Sequence, residues 1–267
     1  MKNHIFLFIA GLHKSGTSLL HELLRDHPEI SGFSDTGVPE DEGQHLQTVF
    51  KPDYSFGGLG SFVFDKCAYM DETHPLATEK IAGEIFDQWK SYYDLECKYL
   101  IEKSPPNIIR TRYLQNLFPS SKFIIIIRHP LVTAFATKKI RKTSSILSLL
   151  EHSLRAYEIF LNDMEFLNSV YVLRYEDLTA SPKRVFNNII NFIGLGTINI
   201  TREVHNNIND KYLLMWENDR KNWITRIIKQ VPRDIPDEFE KRANTFGYSI
   251  NNKSLFPAQC LGAHNKN

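Results

Sequence analysis

Residues Gly11 to Ser18 read GLHKSGTS and follow directly on the apolar run HIFLFIA. Gly11, Gly16 and Ser18 fit the phosphate-loop pattern G-x-x-x-x-G-K-[ST], but Thr17 stands where the pattern has its lysine. The loop's only lysine, Lys14, comes three positions earlier and is followed by Ser15, Gly16, Thr17 and Ser18. A strand, a glycine loop and a helix start gather backbone N–H groups and the positive end of the helix dipole around one point, which favours an anion. The three hydroxyls add donors and Lys14 adds a full charge. A tight strand-to-helix turn carrying an exposed lysine is the plainer alternative.

A second run, FIIIIRHP, ends in Arg128. A triphosphatase has an acidic residue at the end of such a strand to help hold magnesium. An arginine there repels a divalent cation and attracts another phosphate. Each phosphate carries about −1.5 to −2 charges near neutral pH, so two separated anionic groups call for two separated cations. Lys14 and Arg128 follow strand ends at the carboxyl edge of a sheet, where α/β proteins bind ligands. The expected ligand is a nucleotide with two anionic groups and no metal. A surface ion pair is the alternative reading of Arg128.

The elements that position these residues are legible in outline. Four short runs rich in Ile and Val, IFLFIA, KYLIE, FIIIIR and VYVLR, are separated by helix-like stretches. This alternation predicts an α/β fold with a central parallel β-sheet flanked by helices, a three-layer sandwich. Helices are expected over 17–26, 78–93, 106–117, 144–167 and about 182–193, where Gly194 stops the last, and in PDEFEKRANTFG near the end. Segment 35–75 is rich in Gly, Pro and acidic residues with interleaved aromatics, and reads as an insertion arching over the sheet. Its Tyr54, Phe56, Phe62 and Phe64 suit a satellite core beneath a long loop better than an acceptor pocket. With no linker elsewhere, residues 1–267 are read as one domain.

Composition sets the outer limits. The 267 residues are 42% hydrophobic and 24% charged, ordinary for a soluble globular protein. A net charge of +1 gives no global field for nucleic acid or an anionic membrane, although it averages over any local pocket. Three scattered cysteines define neither a disulfide framework nor a zinc site, and suggest a reducing compartment. The opening MKNHIFLFIAGL has a lysine before an apolar run, as a signal peptide does, but the run leads straight into the glycine loop and is read as a buried strand. No stretch approaches the roughly 20 apolar residues of a membrane span. A cytoplasmic protein is expected.

Taken together, GLHKSGTSLLHELLRDHPEISG and FPSSKFIIIIRHPLVTAFA resemble the 5′-phosphosulfate loop and the 3′-phosphate segment of sulfotransferases that use 3′-phosphoadenosine 5′-phosphosulfate (PAPS). YLIEKSPPN, VLRYEDLTASP and FGYSI resemble further family phrases in the family's order, and TGVPEDEGQHLQ is similar to bacterial-type members. The resemblance implies a P-loop sulfotransferase fold and metal-independent, in-line sulfuryl transfer to a hydroxyl or amine. It implies that Lys14, Ser15, Gly16, Thr17 and Ser18 hold the 5′-phosphate and sulfuryl group, with His13 a neighbour rather than a base. Arg128 would pair with the 3′-phosphate. The family serine eight residues later is Ala136 here, with Thr133 and Thr137 near enough to replace it. Tyr175 would lie near the nucleotide, and NDKYLLMWENDRKNW, with Lys211 and Tyr212, would close over it.

The acceptor must lose a proton, so a general base is expected. Cytosolic family members have a histidine in a K-T-H segment, but EKSPP puts Pro105 there, leaving Lys103 to help hold the sulfuryl oxygens. FSDTGVPEDEGQHLQ offers Asp35, Glu40, Asp41, Glu42 and His45. By rough position Asp35 matches the acidic base of the protein-tyrosine members. Glu42 or His45 is the preferred base, with His74 an outside candidate; a solvated acidic loop is the plainer reading of each. The acceptor is a small molecule, carbohydrate, lipid or peptide. The rival functions are a magnesium-dependent P-loop kinase or NTPase and a non-catalytic nucleotide-binding module.

Overall fold

The computed structural model describes residues 3–200, 202–204 and 208–266; Met1 and Lys2 of the opening segment lie outside them. The four apolar runs form β1 (Ile5–Ala10), β3 (Tyr99–Lys103), β4 (Lys122–Ile127) and β5 (Ser169–Arg174). Two short edge strands complete the sheet: β2 (Ile30–Gly32) and β6 (Gly262–Asn265). The order is β2-β3-β1-β4-β5-β6, parallel except for β6, which runs antiparallel to β5.

The central strands β1 and β4 are apolar along nearly their whole length because both faces are covered. Phe6 and Phe8 of β1 and Phe123, Ile125 and Ile127 of β4 point to one face. There they meet α2 (Glu79–Trp89), α3 (Thr111–Leu117), α4 (Pro130–Lys138) and α5 (Ile146–Met164), through residues such as Trp89, Leu114, Leu131 and Leu154. Trp216 of α8 (Ile208–Lys221) and Phe239 of α10 (Asp237–Thr245) join the same cluster. Leu7, Ile9, Ile124 and Ile126 point the other way, onto α1 (Thr17–Arg25), α6 (Tyr175–Ala180) and α7 (Pro182–Ile193). Each buried Leu, Ile or Phe contributes about 1.5–3 kcal/mol, so the sheet is anchored from both sides.

Helix ends follow local chemistry. The Thr78 hydroxyl accepts the Ile81 N–H ahead of α2, at 3.3 Å. The Ser145 hydroxyl accepts the Ser148 N–H ahead of α5, at 3.1 Å. The helix expected over 106–117 is broken: Pro105–Ile109 form a 3-10 turn and α3 starts only at Thr111. Arg110, at φ −134°, leaves the helical path, and its buried guanidinium reaches the carbonyls of Ala68 and Lys51 at 3.0 and 3.2 Å. That side chain fastens the 35–75 segment from below. The segment has five 3-10 turns and no strand, and it buries Phe62 fully while Tyr54 stays exposed.

The connections after β1 and β4 leave in opposite directions across the sheet, which opens a crevice at the carboxyl ends of these two neighbours. The Gly11–Gly16 loop follows β1 and Arg128 follows β4.

Candidate active site

The loop after β1 closes tightly. The Ser15 N–H and hydroxyl both donate to the Leu12 carbonyl, at 3.0 and 2.6 Å. Lys14 takes a left-handed conformation at φ 66° and leaves its side chain exposed. Gly16 follows at φ 103°, and a Cβ there would stand 2.4 Å from the Tyr175 ring, so only glycine fits. The N–H groups of Gly16, Thr17, Ser18 and Leu19 have no partner among the described residues, as expected at a helix start. Neither does the Lys14 ammonium.

Arg128 is built into the opposite wall. Its N–H donates to the Tyr157 hydroxyl, which donates back to the Arg128 carbonyl, both at 3.0 Å. Arg128 as a whole is 5% exposed. It donates to the Lys14 carbonyl at 2.6 Å and, from Nε and Nη2, to Asn209 Oδ1 at 2.9 and 2.6 Å. It lies 4.1 Å from the centre of the Tyr175 ring. Burial pulls its pKa below the ordinary value, with Tyr175 and Glu176 opposing; an arginine remains a cation in such a setting. No carboxylate pairs with it among the described residues.

Lys14 and Arg128 therefore share one cleft, of about 510 Å³, with Gly16, Thr17, Ser18 and Tyr175. His13, Glu40, Glu42, Ala136, Glu203 and Tyr212 also line it. His13 Nε2 is 3.2 Å from Asp53. Burial pushes the Asp53 carboxyl up, but the His13 hydrogen bond and the charges of His13 and His45 outweigh it, leaving the pKa below the ordinary value.

The acidic segment contributes one buried carboxylate to the lining of the cleft. Glu42 is 4% exposed; Gln44 Nε2 donates to it at 2.6 Å and Lys103 Nζ at 3.4 Å. The turn that carries it is fixed by Glu102 on β3, whose Oε1 accepts the Gly43 N–H at 3.0 Å. A Cβ on Gly43 would meet Glu102 at 2.6 Å. Burial raises the Glu102 carboxyl to about 7, against hydrogen bonds from Ser104 and Asn107 that lower it.

Several expected residues stand elsewhere. His45 lies behind Glu42 at 3.7 Å, stacked on Tyr54, and does not line the cleft. Lys103 is buried under the segment, where its ammonium donates to the Glu40 carbonyl at 2.7 Å and to Glu42, and it does not line the cleft. Thr133 and Thr137 are buried in α4 beside the lining Ala136, and the Thr133 hydroxyl bonds the His129 carbonyl of its own helix at 3.3 Å. Lys211 is exposed beside Tyr212, its ammonium 5.0 Å from that ring. Asp35 is exposed outside the cleft, and His74 packs on Tyr113.

Two residues not singled out from sequence matter here. Glu176 accepts from Asn209 Nδ2 at 2.6 Å, the Tyr248 hydroxyl at 3.0 Å and the His129 N–H at 3.0 Å. Asn209, so held, positions the Arg128 guanidinium. Glu176 sits within the phrase RYEDL, whereas Asn209 has no local sequence signal.

Comparison with known proteins gives the family. Residues 7–199 match the Sulfotransferase family. Protein-tyrosine sulfotransferase 1 of Danio rerio is 24% identical over 201 residues, covering 73% of this chain and 54% of that protein. Protein-tyrosine sulfotransferase 2 of Gallus gallus is 23% identical over 197 residues, covering 71% and 51%. The chain thus spans about half the length of the curated relatives it matches. In fold it is similar to the sulfotransferase domain from the curacin biosynthetic pathway, with a TM-score of 0.55 at 19% identity over 92% of this chain and 98% of that domain. A family match that takes in the glycine loop, the acidic segment and the Arg128 strand together means that this chain belongs to the sulfotransferase family.

Proposed function

We propose that the chain transfers a sulfuryl group from PAPS to an acceptor hydroxyl or amine. The observation that carries this reading is the pair of cations without carboxylate partners, Lys14 and buried Arg128, on one cleft with the unpartnered N–H groups of the glycine loop. A donor with a 3′-phosphate and a 5′-phosphosulfate carries its charge at two separated points and suits that arrangement. Arg128 binds the 3′-phosphate. The loop N–H groups and the hydroxyls of Thr17 and Ser18 bind the 5′ end. Tyr175 and Tyr212 offer aromatic faces to the nucleotide. The donor supplies an activated sulfuryl group on a phosphate leaving group.

Glu42 is the proposed base, because it is the buried carboxylate on the cleft wall and a fixed turn holds it. It takes the proton of the acceptor as the acceptor oxygen or nitrogen bonds to sulfur. The sulfur–oxygen bond to the phosphate breaks, and Lys14 stabilises the charge left on that oxygen, a contribution of roughly 3–4 kcal/mol for one such donor. Three unpaired cysteines favour a reducing, cytoplasmic setting. The acceptors to screen are small alcohols, carbohydrates, lipids and a peptide tyrosine, the last named in the curated relatives.

The test is transfer of labelled sulfate from PAPS to this panel with EDTA in excess. Transfer that survives EDTA, falls roughly 100-fold to 1000-fold in Lys14→Ala and is lost in Glu42→Gln is expected. Unchanged turnover in Lys14→Ala refutes its role, and loss of wild-type transfer with EDTA favours a magnesium-dependent P-loop kinase.

A further inference from the structure

Helix α9 (Trp223–Lys229) is turned inside out. At 100° per residue, Trp223, Ile224, Ile227 and Ile228 fall within an arc of about 140° on a helical wheel. On a surface helix that arc belongs against the core. Here the four are 68%, 50%, 70% and 74% exposed, while Thr225 and Arg226 on the other side are the half-buried ones. Leu214 of α8, 61% exposed, adds a fifth large apolar side chain. Four exposed large apolar side chains on one face of a two-turn helix, with a fifth on the helix before it, are a concentration of the kind that marks an interaction site.

The charges around it choose the partner. Arg220, Lys221, Lys229, Arg233 and Lys253 lie in and beside α8 and α9, with Arg226 on the half-buried side of α9, against three carboxylates, Glu217, Asp219 and Asp234. Glu217 and Asp219 are tucked in, with side chains 23% and 11% exposed, beneath Lys221 at 72% and Lys229 at 47%. The outermost charges are therefore basic, apart from Asp234, which pairs loosely with Arg220 and Arg233 at 3.8 and 3.9 Å. Asp237 and Glu238 open α10 beyond Pro236. The basic character of this face therefore lies in which charges are outermost rather than in their number.

We propose that α9 and its basic rim form a peripheral docking surface for anionic lipid bilayers. Isoleucines and a tryptophan on one face, with lysine and arginine at the level of the headgroups, is the composition that lies in a membrane interface. A protein partner of equal apolarity would not require the cationic rim. The proposal does not depend on the enzymatic reading, since α9 lines no part of the cleft.

Vesicle co-sedimentation of the full chain tests it, with phosphatidylglycerol mixed into phosphatidylcholine and with phosphatidylcholine alone. Binding to the anionic vesicles is expected, falling about fivefold for each of Lys221→Gln and Lys229→Gln. Ile227→Asp with Ile228→Asp is expected to lower binding about tenfold or more, at an unchanged Tm because both side chains are exposed. No sedimentation with anionic vesicles, or sedimentation indifferent to the Ile227→Asp/Ile228→Asp pair, overturns the proposal. So does a dimer in sedimentation velocity that this pair dissociates, which would make the face an interface between copies.

Discussion

Replacing Arg128 with alanine separates a site for two phosphates from a site for one. The guanidinium makes three hydrogen bonds, to Asn209 Oδ1 and the Lys14 carbonyl, and Arg128 as a whole is 5% exposed. Its Nε and Nη2 converge on a single neutral oxygen, a fork that a phosphate can take bidentately. Truncating one member of a buried, charge-assisted pair costs about 2–4 kcal/mol, which is roughly a 30-fold to 1000-fold loss of affinity. Fold stability changes little, because losing three hydrogen bonds is offset by no longer desolvating a cation; a Tm shift below about 4 °C is expected. Calorimetry with 3′-phosphoadenosine 5′-phosphate and with adenosine 5′-phosphate makes the comparison. Arg128→Ala should weaken the first ligand and leave the second nearly unchanged, so that the two affinities converge. Equal weakening of both would mean that Arg128 only shapes the loop through Lys14, and unchanged binding of the first would remove the 3′-phosphate assignment.

Gly16→Ala places a Cβ 2.4 Å from the Tyr175 ring at a φ of 103°. The left-handed conformation alone costs about 1–2 kcal/mol, so thermal denaturation should show a lower Tm and calorimetry a loss of nucleotide binding; wild-type affinity would contradict the tight-loop argument. His152 packs edge-on against Phe62 with rings 4.8 Å apart, and burial first, then the His13 charge, lowers its pKa from 6.5 to about 3. The unfolded chain therefore binds a proton between pH 6.5 and 3 that the folded chain does not, and stability falls as pH drops through that window. His152→Phe should flatten urea-denaturation stability against pH by up to one proton between pH 3 and 6.5. An unchanged slope would show that this imidazole accepts its proton in the fold.

The sheet's centre was legible because a strand covered on both faces leaves a continuous apolar run. Its edges were not: β2 has three residues, and β6 reads Gly-Ala-His-Asn, so neither has a pattern to detect. The glycine loop was legible for a different reason, since its geometry is local and only Gly16 tolerates the approach of Tyr175. The choice between Glu42 and His45 could not be made from spacing. The proposal of Glu42 rests on Glu102, far along the chain, which accepts the Gly43 N–H in the turn that brings Glu42, and not His45, to the cleft. Thr133 and Thr137 looked like substitutes for a missing hydroxyl at Ala136, but the helix turns Ala136 to the cleft and leaves both threonines in the packing. Asn209 opens the stretch NDKYLLMWENDRKNW that was expected to close over the nucleotide, but its own role was not legible, because a bond to Arg128 across 81 positions leaves no mark on its neighbours.

Burial of an unpaired cation does not by itself define a binding site, and Arg110 shows why. It is 1% exposed and also has no carboxylate partner among the described residues. It donates to two carbonyls and lies 5.2 and 5.7 Å from the Phe50 and Phe56 rings, so its charge is spent on backbone and aromatic faces that hold the inserted segment. Arg110 lines no part of the cleft. Arg128 differs in what surrounds it. Its fork points at an amide that Glu176 holds in place, and the carboxylate stays one residue removed, on the far side of Asn209. A carboxylate in the position of Asn209 would neutralise the guanidinium and compete with a phosphate. A neutral amide orients it and leaves its charge free to attract an anion. The same separation of aiming from neutralising recurs at Lys14, whose carbonyl is tied to Arg128 while its ammonium is not paired. Arg110 spends its charge on the inserted segment, whereas Arg128 and Lys14 both face one cleft, which is the arrangement that the proposed donor with two anionic groups requires.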